Sequence, residues 1–320
     1  SYSKVTNVQK KTGQWVVSIK SKERSFEIKT KVLINTMGPW VNSLSEIGKN
    51  QSMVRLVKGS HIVVKKLFNH DSAYMFQGKD GRIIFSIPYE KDFTLIGTTE
   101  VEHKECKEVK CSDKEKKYLC GFASNYFQKK ITVEDIVWDF SGVRALYENK
   151  TVEARNANRD YSFEIEEKEG SVLLTVYGGK ITTHRKLAEK AVSKITSLLK
   201  LTRKEWTSTQ HLPGGGFKLE DKEKIIGGLL KKYKFLNMRW AERLFKTFGS
   251  EVENVLGRAK AKPDLGRKFG YDLTEREVLW YINQEHVRCV EDLIWRRSKL
   301  GLRLTSKQIR DLNSYIKKLN

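Results

Sequence analysis

Apolar and polar residues alternate near the start of the chain, at Trp15, Val17 and Ile19 and again at Phe26 and Ile28 after a polar turn. That spacing of two predicts strands, and the unbroken run Val32-Leu33-Ile34 predicts a strand buried on both faces. The opening therefore reads as a β-meander feeding a buried strand. Beyond the break at Gly38-Pro39, further strands are predicted at His61 to Val64, Tyr74 to Phe76, Arg82 to Ile87 and Thr94 to Thr98, with Asp80-Gly81 as a hairpin turn. An antiparallel sheet is the expected product.

Between Ser112 and Lys129 the pattern becomes helical and charged, and Ile136 to Trp138 reads as a return strand. Val172 to Tyr177 is a β-branched strand that runs into Gly178-Gly179-Lys180-Ile181-Thr182-Thr183. Leu187, Ala188, Ala191, Val192, Ile195 and Leu199 then recur at three- and four-residue intervals, which predicts an amphipathic helix. From Leu212-Pro213-Gly214-Gly215-Gly216 onward only helices are predicted. Thr274 with Glu277 and Thr305 with Gln308 fit capping boxes, and Ile309, Leu312, Ile316 and Leu319 mark the apolar stripe of a last helix. A domain boundary is placed near the triple glycine.

The chain has 320 residues, room for roughly two domains at ~150 residues each. Hydrophobic residues make up 39% of it, which excludes a disordered basic tail. Lys and Arg number 61 against 39 Asp and Glu, a net charge of +22 that favours phosphate-bearing partners: nucleic acid, an anionic membrane or phosphorylated metabolites. The four cysteines, Cys106, Cys111, Cys120 and Cys289, form no CxxC pair and read as reduced thiols of a cytosolic protein; no metal-like His spacing accompanies them. No apolar run approaches the ~18 residues of a spanning helix, so the protein is expected in solution or on a membrane surface.

Four places carry candidate chemistry. The Gly178 to Thr183 turn combines glycines, which let a ligand approach the backbone, with a helix N-terminus that offers unpaired N–H groups to an anion; Lys180 adds a full charge. The same residues also fit a plain turn capped by Thr182 or Thr183. Arg144 and Arg159 would make a phosphate clamp if they converged, whereas each alone suits a solvated surface charge and Asp160 could neutralise Arg159. His61, at the mouth of a strand, could accept a substrate proton or be a structural histidine. The Asn35 to Trp40 turn ends a buried strand, where α/β sheets bind nucleotide cofactors or simply turn. Neither GxGxxG nor GxxxxGK[ST] occurs in the chain.

Taken together, Asn35 to Trp40, Val54 to Val64, Ile96-Gly97-Thr98-Thr99-Glu100, Ser141-Gly142-Val143-Arg144, Arg159-Asp160-Tyr161, Gly178 to Thr183, Leu212-Pro213-Gly214-Gly215 and Trp295-Arg296-Arg297 resemble the aerobic-type, FAD-dependent sn-glycerol-3-phosphate dehydrogenases over nearly the whole chain. The resemblance implies an α/β flavoprotein of the glutathione-reductase/amino-acid-oxidase type, here partial, with an antiparallel β substrate cap and an all-α C-terminal domain. It divides the chain into a partial FAD-binding domain over 1–44, the cap over 45–147, a return to the FAD-binding domain over 148–210 and helices over 211–320.

The implied reaction is oxidation of glycerol 3-phosphate to dihydroxyacetone phosphate with electrons passing from FAD to quinone. The implied protein is cytoplasmic, peripheral on the inner face of the membrane, a homodimer in many members, and no nucleic-acid binder. Carried over residue by residue, Arg144 and Arg159 hold the substrate and its phosphate, His61 and Lys180 line its reacting end, and either could be the base. Gly178, Gly179, Lys180, Ile181, Thr182 and Gly38 border the flavin.

The sequence departs from the family at Thr36-Met37, where small residues are usual, at Glu100 for Asp, Ala145 for Pro and His184 for Tyr. It also lacks the leading strand–GxGxxG–helix unit. The chain thus resembles the C-terminal portion of a longer enzyme, with weak or no activity by itself. Two other readings stand beside this one. The charge alone would suit a nucleic-acid binder, although lysines spread through every segment beside glutamates look like a solvated face. The glycine turns would also suit an amine or amino-acid oxidase of the same superfamily.

Overall fold

The computed structural model describes residues 2–43, 54–79, 81–104, 106–107, 109–147, 160–202 and 204–319. These fall into two units, Ser1–Ser208 and Thr209–Asn320. In the first, β1 (Lys4–Lys11), β2 (Gln14–Lys20) and β3 (Ser25–Thr30) form the expected antiparallel meander; β4 (Val32–Asn35) follows it but is not buried as expected, since Ile34 is exposed and Val32 and Leu33 are half-buried. Trp15, Val16 and Val17 are buried on β2, and the Trp15 indole N–H donates to the Val172 carbonyl at 3.0 Å, pinning the meander to a second sheet.

The cap sheet is built from β5 (Val54–Lys65), β6 (Tyr74–Gln77), β7 (Ile83–Tyr89), β8 (Phe93–Gly97), the two-residue β9 (Val101–Glu102) and, after helix α1 (Asp113–Ser124), β10 (Ile136–Tyr147). Its strand order is β10-β5-β8-β7-β6, with β9 also paired to β5, and the described pairings are antiparallel. Alternation gives the sheet two unlike faces. On one, Ile62, Val64, Ile84 and Ile96 pack against Leu119, Cys120 and Ala123 of α1. The other leaves Met75, Ile83, Phe85 and Ile87 exposed.

The return strand expected at Ile136 to Trp138 runs on to Tyr147, because the whole length of β5 is available to pair with it. Among the strands to escape the sequence pattern is β11 (Tyr161–Lys168). It pairs antiparallel with β12 (Ser171–Gly178), and β12 pairs in parallel with β4. Helix α2 (His184–Leu198) covers this sheet with Leu187, Ala191 and Ile195, while Val192 of the predicted stripe faces outward.

The second unit contains α3 (Lys222–Lys232), α4 (Met238–Phe248), α5 (Val252–Leu256), α6 (Glu275–Gln284) and α7 (Ser306–Leu319). It is not purely helical, since β13 (Lys268–Gly270) and β14 (Leu273–Thr274) pair before α6. Asn237 caps α4 by accepting the Trp240 N–H at 2.9 Å, and Trp240, Ala241, Leu244, Phe245 and Phe248 of that helix enter one core. Thr305 and Gln308 make the expected reciprocal cap of α7, at 2.9 and 3.3 Å.

The cap expected at Thr274 does not form. Glu277 is wholly buried and turns both carboxylate oxygens to Arg243. The glycines at 214–216 belong to this second unit, with the Gly214 carbonyl accepting from Ser250 N at 3.0 Å beyond α4. No helix among the described residues is long and apolar enough to cross a membrane.

Candidate active site

β5 lies between β10 and β8 in the cap sheet, and the register sets His61 opposite Phe140 on one side and Gly97 on the other. Residues directly opposite share a face. The imidazole stacks on Phe140 with centroids 4.9 Å apart and planes 7° from parallel. On its other side, a Cβ at Gly97 would stand 2.2 Å from His61 Cδ2, so the ring occupies space that only glycine leaves open. Its Nδ1 is buried and has no hydrogen-bond partner among the described residues, unlike most buried polar atoms. Burial pushes the His61 pKa from 6.5 to about 4, and the nearby Arg144 charge pushes the same way. At neutral pH the imidazole is uncharged and able to accept a proton.

Arg144 stands opposite Val57, and its guanidinium reaches back over Gly59. A Cβ at Gly59 would lie 3.2 Å from both terminal nitrogens of Arg144 and 2.7 Å from Thr98 Oγ1. Gly59 precedes His61 by two residues, about 7 Å along the strand, so guanidinium and imidazole are neighbours on one face. Glu100 lies 3.7 Å from Arg144 Nη1, with both side chains more than a third exposed. Such an ion pair is worth little, and an incoming anion can displace it.

His61, Arg82, Thr98, Glu100 and Arg144 line one cavity of about 550 Å³. Its remaining wall includes the apolar Ile83, Phe85 and Ile87, placing a cation and a neutral base at one side of a largely apolar surface.

A second group of residues gathers at the carboxyl ends of the parallel pair β4 and β12. After β4, the buried Asn35 side chain shapes the turn: its amide donates to the Val41 carbonyl at 2.9 Å and its oxygen accepts from Met37 N at 3.3 Å. Gly38 in this turn has φ +55° and open space where a Cβ would stand. After β12, Gly178 and Gly179 adopt φ +69° and +104°, and a Cβ on Gly178 would press to 2.8 Å on the Asp160 carbonyl. Lys180, Ile181 and Thr182 follow, all exposed, and no side chain caps α2 through Thr183. His184, where the family resemblance leads one to expect Tyr, turns Nδ1 to the Ile181 carbonyl at 2.7 Å.

The short helical turn Gly38–Trp40 packs on both β10 and β12, and Gly178 lies against Tyr147 at the end of β10. Three residues, about 10 Å of strand, separate Tyr147 from Arg144. Of the sequence-predicted residues, then, His61 and Arg144 share one cavity, while Gly38, Gly178, Gly179, Lys180, Ile181 and Thr182 sit in two adjoining turns. Lys180 is not among the residues lining the cavity of His61. Arg159 lies outside the described residues, as does Asp80 of the predicted hairpin turn.

Arg82 and Thr98 escaped the sequence reading. Arg82 directly follows the Asp80-Gly81 turn, and a cation opening a strand just after a hairpin turn is the signal that could have found it.

FAD fits the turns that are present. Two glycine-containing turns at the ends of neighbouring parallel strands, one with open space at Gly38 and one leading into an uncapped helix N-terminus, suit the edge of a flavin ring and the charge it gains on reduction.

Residues 1–185 match the family model "FAD dependent oxidoreductase", and residues 205–314 match "C-terminal domain of alpha-glycerophosphate oxidase". Among curated proteins, the chain is 36% identical over 313 residues to an aerobic glycerol-3-phosphate dehydrogenase of Escherichia coli, covering 96% of this chain and 62% of that protein. It is 34% identical over 312 residues to a D-erythritol 1-phosphate dehydrogenase of Brucella abortus, covering 95% of this chain and 62% of that protein. The chain thus spans under two thirds of the length of these relatives. A solved glycerol-3-phosphate dehydrogenase from Bacillus halodurans, complexed with FAD, superposes with a TM-score of 0.79 at 23% identity, over 99% of this chain and 68% of that one. With more than half of its length matching that family model, the chain belongs to the FAD dependent oxidoreductase family.

Proposed function

We propose that the protein oxidises the secondary hydroxyl of a short polyol phosphate, with glycerol 3-phosphate as substrate and dihydroxyacetone phosphate as product. The observation that carries this reading is the single cavity in which a neutral His61 stands beside the Arg144 guanidinium. Oxidation of a secondary alcohol removes a hydride from C2 and a proton from the C2 oxygen, turning the C–O bond into a carbonyl. FAD, when bound, supplies the two-electron acceptor.

His61 takes the hydroxyl proton on its imidazole, which burial keeps uncharged and Phe140 and Gly97 keep in place. Arg144 grips the phosphate, displacing the exposed Glu100 carboxylate, and Arg159 from the sequence motif is its expected second arm. A dianion on Arg144 also offsets the charge that depresses His61, so substrate binding makes the imidazole a better base. The apolar Ile83, Phe85 and Ile87 offer a surface for the carbon chain of the substrate. Lys180 and the glycine turns border the flavin, and the positive end of the α2 dipole steadies negative charge gained on reduction.

A four-carbon polyol phosphate is the second reading, supported by the Brucella abortus relative and a cavity of about 550 Å³. The electron acceptor in this reading is a membrane quinone, reached by a protein docked as a homodimer through its basic surface on anionic lipid. To test the reading, the FAD-loaded protein is mixed without oxygen with glycerol 3-phosphate, erythritol 1-phosphate, glycerol or an amino acid, and flavin bleaching is followed. Bleaching by phosphorylated polyols alone is expected; bleaching by amino acids but not by the phosphates would overturn the proposal. Sedimentation with anionic but not with neutral vesicles is the matching result for the membrane.

A further inference from the structure

Behind the cavity, on the α1 side of the cap sheet, one carboxylate bonds to β5, to the chain after β8 and to the cap of its own helix. Glu115, in the first turn of α1, is 6% exposed. Its Oε1 accepts from Ser60 Oγ at 2.7 Å and Thr99 Oγ1 at 2.8 Å. Its Oε2 accepts from Lys58 Nζ at 2.8 Å, Ser112 N at 2.9 Å and Ser112 Oγ at 2.7 Å. Thr99 Oγ1 in turn accepts the Ser60 N–H at 3.0 Å, and the Ser60 and Ser141 hydroxyls lie 2.7 Å apart. Burial opposes ionisation of Glu115, yet the hydrogen bonds from Lys58, Ser112 and Ser60 outweigh it and hold the pKa at about 2.

The sequence neighbours of these tied residues make the site. Ser60 stands between Gly59 and His61, Thr99 between Thr98 and Glu100, and Ser141 between Phe140 and Gly142. Strand side chains alternate, so the tied residues point to α1 while their neighbours meet the cavity on the opposite face. A shift of Ser60 or Thr99 therefore moves the backbone of His61, Thr98 or Glu100 with it. An apolar side chain at 115 would stabilise the layer about as well as a buried ion pair does. What it would lack is direction: five donors, from β5, from the chain after β8 and from Ser112 at the start of α1, fix one carboxylate, and Ser60 links it on to Ser141 of β10.

We propose that Glu115 is a positioning residue, which touches no substrate and holds the His61, Thr98 and Glu100–Arg144 segments in the mutual placement that binding and proton transfer require. Part of its test rests on the reading under Proposed function, and part does not. Glu115→Gln, which keeps the shape and removes the charge, is compared with Leu119→Ala, which opens the core of the same helix, where Leu119 is fully buried. The two are measured at temperatures equally far below their melting points, so that both are equally folded.

With FAD-loaded protein and glycerol 3-phosphate, Glu115→Gln is expected to lower kcat/KM at least tenfold and Leu119→Ala less than twofold. The independent arm is the His61 ring signal in histidine-labelled NMR spectra without substrate. It is expected to shift or broaden in Glu115→Gln and to stay in place in Leu119→Ala. Equal effects of the two variants, whether both large or both absent, would reduce Glu115 to a packing residue and overturn the proposal. If the wild-type protein ignores glycerol 3-phosphate while the His61 signal still responds to Glu115→Gln alone, the substrate reading fails and the positioning role stands.

Discussion

Two buried ionic clusters, one in each unit, are built in opposite ways. In the cap, the single carboxylate of Glu115 receives five hydrogen bonds and stays ionised down to about pH 2. In the helical unit, the single guanidinium of Arg243 serves two carboxylates, Glu277 at 2.9 and 3.0 Å and Asp272 at 2.7 Å. The second carboxylate there is in excess, and burial raises the Asp272 pKa to about 6, against the pull of Arg243. Donor excess fixes a charge, whereas acceptor excess leaves a proton site. The donor-rich cluster backs a wall of the candidate active site; the acceptor-rich one joins α4, the β13–β14 connection and α6 within a packed core.

The largest expected effect comes from breaking the helical cluster. Arg243→Met leaves Glu277 buried without its partner, and the helical unit should lose about 3–5 kcal/mol, read by urea unfolding. A loss under about 1 kcal/mol would mean that the cluster is solvated and the contrast with Glu115 false. Next comes Gly97→Val, whose Cβ would stand 2.2 Å from the His61 ring. It should lower kcat/KM by about 100-fold while leaving the helical unit untouched. Arg144→Lys keeps the charge but loses the fork, and KM for a phosphorylated substrate should rise about tenfold with kcat changed less.

The smallest effect is in pH, and its sign differs between the units. The folded value of Asp272 lies above its usual 3.8, so the folded helical unit binds that proton more tightly. Lowering pH from 7 to 5 should stabilise it by about 1 kcal/mol, and Asp272→Asn should remove the gain. In the cap both shifts run the other way. The stability linked to His61 is complete above 6.5 and disappears as pH falls through about 4, and that of Glu115 is complete above 4.5 and disappears toward about 2. Titrating the melting temperature of each unit checks both directions.

The strands of the cap were legible wherever one face is buried, because Ile62, Val64, Ile84 and Ile96 impose a period of two, but their order was not. β11 was missed because Glu164, Glu166 and Glu167 obscure its apolar positions, Phe163 and Ile165, beside the buried β12. His61 and Arg144 could be named from sequence, but not their meeting. That depends on the β10–β5 register and on an arginine side chain folding back over Gly59, both set by pairing between residues some 80 positions apart. Glu115 went unnoticed as a site residue because its Ser112 cap is a local signal, while its other bonds reach strands distant in sequence. The long-range partners decide its role.

His61 is the proposed acceptor of the substrate proton. Single-turnover reduction of the FAD-loaded protein by glycerol 3-phosphate, compared between wild type and His61→Asn from pH 5 to 9, tests this most directly. The account predicts that His61→Asn slows flavin bleaching by about 100-fold or more at every pH while the melting temperature is kept. Bleaching at the wild-type rate and with the wild-type pH profile would contradict it.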